Sequence, residues 1–97
     1  MQVEKNLENG ILTVKVNGRL DTNTSQGLEA ELKLDGVKEV VFDFAGLEYI
    51  ASAGLRILLT VQKAMMACDG TMKVANPNAM VSGVFDMTGL SDVFTIV

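Results

Sequence analysis

Two residues, Asn9 and Gly10, limit the fold more than any others in the chain. Before them, Val3, Lys5 and Leu7 alternate with Gln2, Glu4 and Asn6. After them, Leu12, Val14 and Val16 alternate with Thr13, Lys15 and Asn17. A period of two on each side marks strands that bury one face. Asn-Gly between such runs favours a two-residue turn, because both residues tolerate positive φ. The chain is expected to open with an antiparallel hairpin.

Downstream, the pattern changes to strands separated by helices. Gly18-Arg19-Leu20-Asp21 leaves the second strand, and Thr22, Asn23, Thr24 and Ser25 all suit the start of a helix. The spacing predicts a helix over 24–34, with Leu28 and Leu32 on one face, Glu29 paired with Lys33, and Gly36 as its stop. A third strand is predicted over 37–44, with Val40, Phe42 and Phe44 on one side and Val41 and Asp43 on the other. A second helix is predicted over 52–67, its main stripe formed by Leu55, Leu58, Leu59, Gln62 and Met66 and widened by Ile57, Val61 and Met65. Gly70 is its expected positive-φ terminator. Residues 71–75 read as a strand, Asn76-Pro77 as the start of a third helix ended by Gly89, and 91–97 as a last strand. Met80, Val81, Val84 and Phe85 form that helix's apolar stripe.

The expected order is β-β-α-β-α-β-α-β in one domain over 1–97. Right-handed crossovers that add each strand to the same edge put every helix on one face of the sheet. The polar phase at Thr13, Lys15, Thr71 and Lys73 agrees, because a doubly covered sheet shows continuous apolar runs. The fold class is therefore α/β, a mixed five-stranded sheet with its first strand antiparallel and helices on one face.

Composition removes several functions. The net charge of −4 comes without a basic cluster, so the electrostatic footprint of a nucleic-acid binder is missing. No apolar run approaches about 18 residues, so no direct membrane insertion is expected. The first residues carry no signal-peptide pattern, and the one cysteine, Cys68, can form no internal disulfide, so the cytoplasm is the simplest location. The chain has no His, which removes the commonest general base and metal ligand. No cofactor, metal site or enzymatic activity is expected. Nothing in the sequence specifies an oligomeric state.

Three features could carry function. Ser52 opens the second helix; the plainer reading is an N-cap or first-turn serine, and the functional one is a phosphoacceptor. The amides of residues 53 to 55 are expected to face outward there, where the helix dipole favours added negative charge. The loop over 18–24 reads as a cap-rich connection or as a contact loop, and winding places it beside the 47–53 loop. Asp43 reads as a structural acid that bonds loop amides. A hydrolase with Ser52 as nucleophile lacks a base, since no His exists and no Lys neighbours it in sequence.

The segments "GRLDTNTSQGLEAEL", "VVFDFAGLEYIASAGLRILL" and "MKVANPNAMVSGVFDMTGLSDVFTI" resemble the STAS domain, the anti-sigma factor antagonist family, over nearly the whole chain. The resemblance implies a right-handed βα superhelix. It implies that Ser52 is the phosphoacceptor. It also implies that Asp21, Thr22, Asn23, Thr24, Glu48, Tyr49, Ala51, Ala53, Gly54 and Arg56 lie on the partner-binding surface. The implied partners are an anti-sigma factor with serine kinase activity, which binds the unphosphorylated form, and a PP2C-type phosphatase that resets the switch. The alternative that the resemblance allows is an adaptor subunit of an ABC lipid-transport or anion-transport assembly. Family members often carry Asp before the phosphoacceptor and Ser or Thr after it, where this chain has Ala51 and Ala53. Many also continue into a final helix, so part of the core-facing surface is expected to be open here, or filled by an oligomer or by a fusion partner.

Overall fold

The computed structural model describes residues 1–97. Strands β1 (Gln2–Glu8) and β2 (Ile11–Leu20) pair antiparallel, from Gln2 opposite Asn17 to Glu8 opposite Ile11. Asn9 and Gly10 take φ of 54° and 81°, the conformation the turn requires. Helix α1 (Ser25–Glu31), β3 (Glu39–Asp43), β4 (Leu47–Ile50), α2 (Ser52–Ala67), β5 (Thr71–Ala75), α3 (Ala79–Thr88), a 3-10 turn (Leu90–Asp92) and β6 (Thr95–Ile96) follow. The main sheet runs β1-β2-β3-β5-β6, and every pairing after the hairpin is parallel.

The α/β class holds, with six strands in place of five. The added strand is β4, inside the segment read as a loop. Ten-residue β2 is long enough for two parallel neighbours laid end to end. Its first half pairs with β3, from Ile11 opposite Glu39 to Lys15 opposite Asp43. Its second half pairs with β4, from Gly18 opposite Leu47 to Leu20 opposite Ile50, with a bulge between Gly18 and Arg19. Gly18, at φ 98°, accommodates the irregularity. The turn joining β3 to β4 is tied to both: Leu47 N–H donates to the Phe44 carbonyl at 3.0 Å, and Gly18 N–H donates to the Gly46 carbonyl at 2.9 Å.

One face of the sheet holds the core. Leu12, Val14 and Val16, Val40 and Phe42, and Met72 and Val74 are buried, while Thr13, Lys15, Val41, Asp43, Thr71 and Lys73 lie partly or fully open on the other face. Leu28 of α1, Leu55, Ile57, Leu58, Val61 and Met65 of α2, and Val81 and Phe85 of α3 join the same apolar cluster. All helices therefore cover that one face. Phe85 meets Phe94 edge-on at 5.5 Å, which packs α3 against the segment leading to β6.

Several boundaries differ from the sequence reading. Helix α1 ends at Glu31 because Leu32 is extended, so Glu29 and Lys33 form no helical pair. Lys5 of β1 instead meets the Glu31 carboxylate at 3.0 Å and donates to its carbonyl at 3.1 Å, a cation at a helix C-terminus. After α2 the left-handed residue is Asp69, at φ 59°, rather than Gly70. Gly70 serves close approach: a Cβ there would lie 2.6 Å from the Lys38 carbonyl oxygen. Helix α3 starts at Ala79, capped by Asn78, whose side chain accepts Val81 N–H at 2.8 Å. Pro77 therefore precedes the helix. Gly89 ends it at φ 76°, as expected. On α2, Met66 is 66% exposed and the stripe is centred on Leu58, Val61 and Met65. The last strand shrinks to Thr95–Ile96, because 3-10 bonds take up Leu90–Asp92.

Gly54 sets how closely α2 seats on the sheet. A Cβ there would lie 2.7 Å from Leu20 Cγ and 2.9 Å from Ile50 Cγ1. Both neighbours are buried, so they cannot swing aside. Gly54→Ala is expected to cost about 1–3 kcal/mol from overpacking, offset by at most about 1 kcal/mol of helix propensity. Urea unfolding of the variant checks this; an unchanged or raised midpoint would show that the helix is not seated as described.

Candidate functional site

The site forms where β2 and β4 end side by side. Leu20 is paired with Ile50, and Ala51 N–H donates to the Leu20 carbonyl at 2.9 Å. The chain continues from this bonded pair as Asp21 on one side and Ser52 on the other. The two loops expected to share one edge are thus joined directly, and β4, not β3, is the strand beside the end of β2.

Ser52 is the first residue of α2 and is exposed. The N-cap position belongs to Ala51, extended at φ −101° and ψ 174°, and no side chain caps the helix. Of the two plainer readings of Ser52, the N-cap one falls and the first-turn one holds: its hydroxyl lies one residue inside the turn and caps nothing. Two of the three amides also differ from expectation. Gly54 N–H and Leu55 N–H both donate to the Ala51 carbonyl, at 3.0 and 3.1 Å, so they do not face outward.

Asp21 organises the opposite loop. Its Oδ1 accepts Asn23 N–H at 3.0 Å and Thr24 N–H at 3.1 Å. In return, Thr24 Oγ1 accepts Asp21 N–H at 2.9 Å and donates to the Arg19 carbonyl at 2.9 Å. Asp21 thus caps the turn that runs into α1, a reciprocal arrangement of side chains and amides. Arg19 lies with its guanidinium 4.3 Å from the Tyr49 ring centroid and 3.8 Å from the Asp21 carboxylate. Partial burial opposes ionisation of Asp21. The Thr24 amide and hydroxyl, the Asn23 amide and the Arg19 charge outweigh it and hold the carboxyl below its ordinary value.

That direction fixes a pH dependence. A depressed acid supports its loop above its ordinary pKa, and the support is lost as pH falls through the lowered value. The amide resonances of Asn23 and Thr24 are expected to titrate together, with a midpoint below the ordinary aspartate value. A midpoint at or above that value would show that the carboxylate does not hold these amides.

The remaining predicted residues fall around this junction. Thr22, Asn23 and Glu48 are exposed, and Thr24, Tyr49, Ala51 and Ala53 are half-buried. Arg56 is exposed one turn beyond Ser52. Gly54 is buried, so it bears on a partner surface only through the seating of α2. Asp43 lies at the end of β3, where Oδ1 accepts Ala45 N–H at 3.0 Å and Asn76 Nδ2 at 3.3 Å, in keeping with a structural acid.

One element of the site was missed. Thr22, Ser25, Gln26 and Glu29 face Ala53, Arg56 and Ile57 across a shallow groove of about 270 Å³ between α1 and α2. Gln26 with Glu29, and Ala53 with Arg56, repeat at i,i+3, which is the only trace the groove leaves in the sequence. No helix is long and apolar enough to cross a membrane.

Comparison with known proteins agrees with this architecture. The family model of the STAS domain matches residues 2–97. BtrV of Bordetella bronchiseptica, named for an anti-sigma factor antagonist, is 32% identical over 90 residues, which cover 90% of this chain and 78% of BtrV. The anti-sigma F factor antagonist of Paenibacillus polymyxa is 27% identical, over 99% of this chain and 86% of the relative. The antagonist SpoIIAA in its unphosphorylated form superposes with a TM-score of 0.86 at 19% identity, over 99% of this chain and 88% of SpoIIAA. Its phosphorylated form, from Bacillus, superposes with a TM-score of 0.78 at 18% identity, over 99% and 91%. At these identities the structural likeness speaks for the fold.

Proposed function

The chain belongs to the STAS domain family, and from that premise we propose that it is an anti-sigma factor antagonist switched by phosphorylation at Ser52. The observation that carries the reading is the placement of Ser52. It is exposed, its helix is uncapped, and the Leu20–Ala51 bond holds it beside the Asp21 turn.

In this reading the unphosphorylated surface, made of Asp21, Thr22, Asn23, Thr24, Glu48, Tyr49, Ala51, Ala53 and Arg56 around Ser52, binds the anti-sigma factor and frees its sigma factor. The anti-sigma factor is also the kinase. Ser52 Oγ attacks the γ-phosphorus of ATP, its proton passes to a base on the kinase, and ADP leaves. The product carries about −1.5 to −2 extra charges at the centre of the contact surface, and the complex separates. A PP2C-type phosphatase returns the serine. The antagonist itself supplies no catalytic group, in keeping with its want of any His.

Intact-mass spectrometry after incubation with ATP and the partner kinase tests this. One phosphate is expected on the wild-type chain, mapped to Ser52, and none on Ser52→Ala. A phosphate mapped to another residue, or transferred equally to Ser52→Ala, would overturn it.

A further inference from the structure

A phosphate on Ser52 would attract a neighbouring cation, and one stands within reach on the same helix. Arg56 lies four residues after Ser52 on α2, a spacing that makes side chains neighbours on one helix face. Both residues are exposed. The ion pairs of the chain join Lys5 to Glu31, Arg19 to Asp21 and Lys73 to Glu39, so the Arg56 guanidinium is unpaired. Arg19, the other arginine of this edge, is held between the Tyr49 ring and Asp21. The Gly54 and Leu55 amides are turned toward the Ala51 carbonyl and are not free to meet a phosphate.

Resting on the reading of Ser52 as phosphoacceptor, we propose that Arg56 is the intramolecular partner of phospho-Ser52. A guanidinium presents paired donors that match two phosphate oxygens, which a lysine cannot do. Drawn toward Ser52, Arg56 leaves the α1–α2 groove that it lines with Gln26, Glu29 and Ala53. The modification then acts twice: it adds negative charge to the surface, and it withdraws the one free cation that a partner could engage there.

The charged groups on the elements that meet at this edge are Glu29 from α1, Glu48 from β4, Asp21 with Arg19 from the end of β2, and Arg56 itself. The three acids favour the monoanionic phosphate, and Arg56 favours the dianion. The full chain with phosphoserine placed at position 52 during synthesis allows a test that needs no kinase. Phosphorus NMR titration gives the second pKa of the phosphate. Arg56→Gln is expected to raise it by about 0.3, the size of an exposed i,i+4 pair. Equal values in the two proteins would overturn the proposal. Because the phosphate is supplied in synthesis, this outcome is separate from whether a kinase modifies Ser52, which the mass-spectrometric test decides.

Discussion

Ser52→Ala is expected to stay bound to the anti-sigma factor in the presence of ATP, while the wild-type protein is expected to be released. Ser52 is exposed at the start of α2 and no side chain caps that helix, so removing its hydroxyl breaks no cap. The alanine variant is therefore expected to fold with wild-type stability and to bind with nearly unchanged affinity. What it loses is the capacity to gain a dianion. A 100-fold loss of affinity on phosphorylation corresponds to about 2.8 kcal/mol, within reach of one phosphate placed inside a contact surface. Pull-down with the anti-sigma factor, with and without ATP, separates the two proteins. Release of Ser52→Ala by ATP would place the switch elsewhere in the chain.

Leu20→Ala has the largest expected effect on stability. Leu20 is fully buried in the core, its side chain packs against Gly54 on α2, and its carbonyl accepts the Ala51 amide. Truncation removes buried apolar surface and leaves a cavity beneath the start of α2. The expected cost is about 2–5 kcal/mol, against a total of about 5–15 kcal/mol for a domain of this size. The same change loosens the junction between Asp21 and Ser52, so partner binding should fall by more than the unfolded fraction accounts for. Urea unfolding followed by circular dichroism measures the first effect. A loss below about 1 kcal/mol would show that this side chain does not support the junction.

The elements most legible in the sequence were those with strong, uninterrupted periodicity. Alternation on either side of Asn9-Gly10 located the hairpin, and the apolar period over 52–67 located both ends of α2. β4 was hidden because its four residues bury Leu47 and Ile50 but expose Glu48, which is not a two-residue alternation. Its pairing with β2 also depends on a bulge at Gly18 that no local pattern announces. Asp69 takes the left-handed conformation in place of Gly70, and the demand for glycine at position 70 comes instead from the Lys38 carbonyl, a contact between distant residues. At the site, Ser52 and the Asp21 loop were visible as residue types. The structure added that Ala51 holds the cap position, that Asp21 caps its own loop, and that a groove separates Arg56 from α1. Each of these depends on how α2 docks, and residue spacing alone does not carry that information.

The central claim is that one phosphate on Ser52 decides whether the partner stays. Calorimetric titration of the anti-sigma factor with the unmodified chain, and with the same chain bearing phosphoserine at position 52, measures it directly. The expected dissociation constant is about 100-fold larger for the phosphorylated chain, with both proteins equally folded. Equal affinities for the two forms would contradict it.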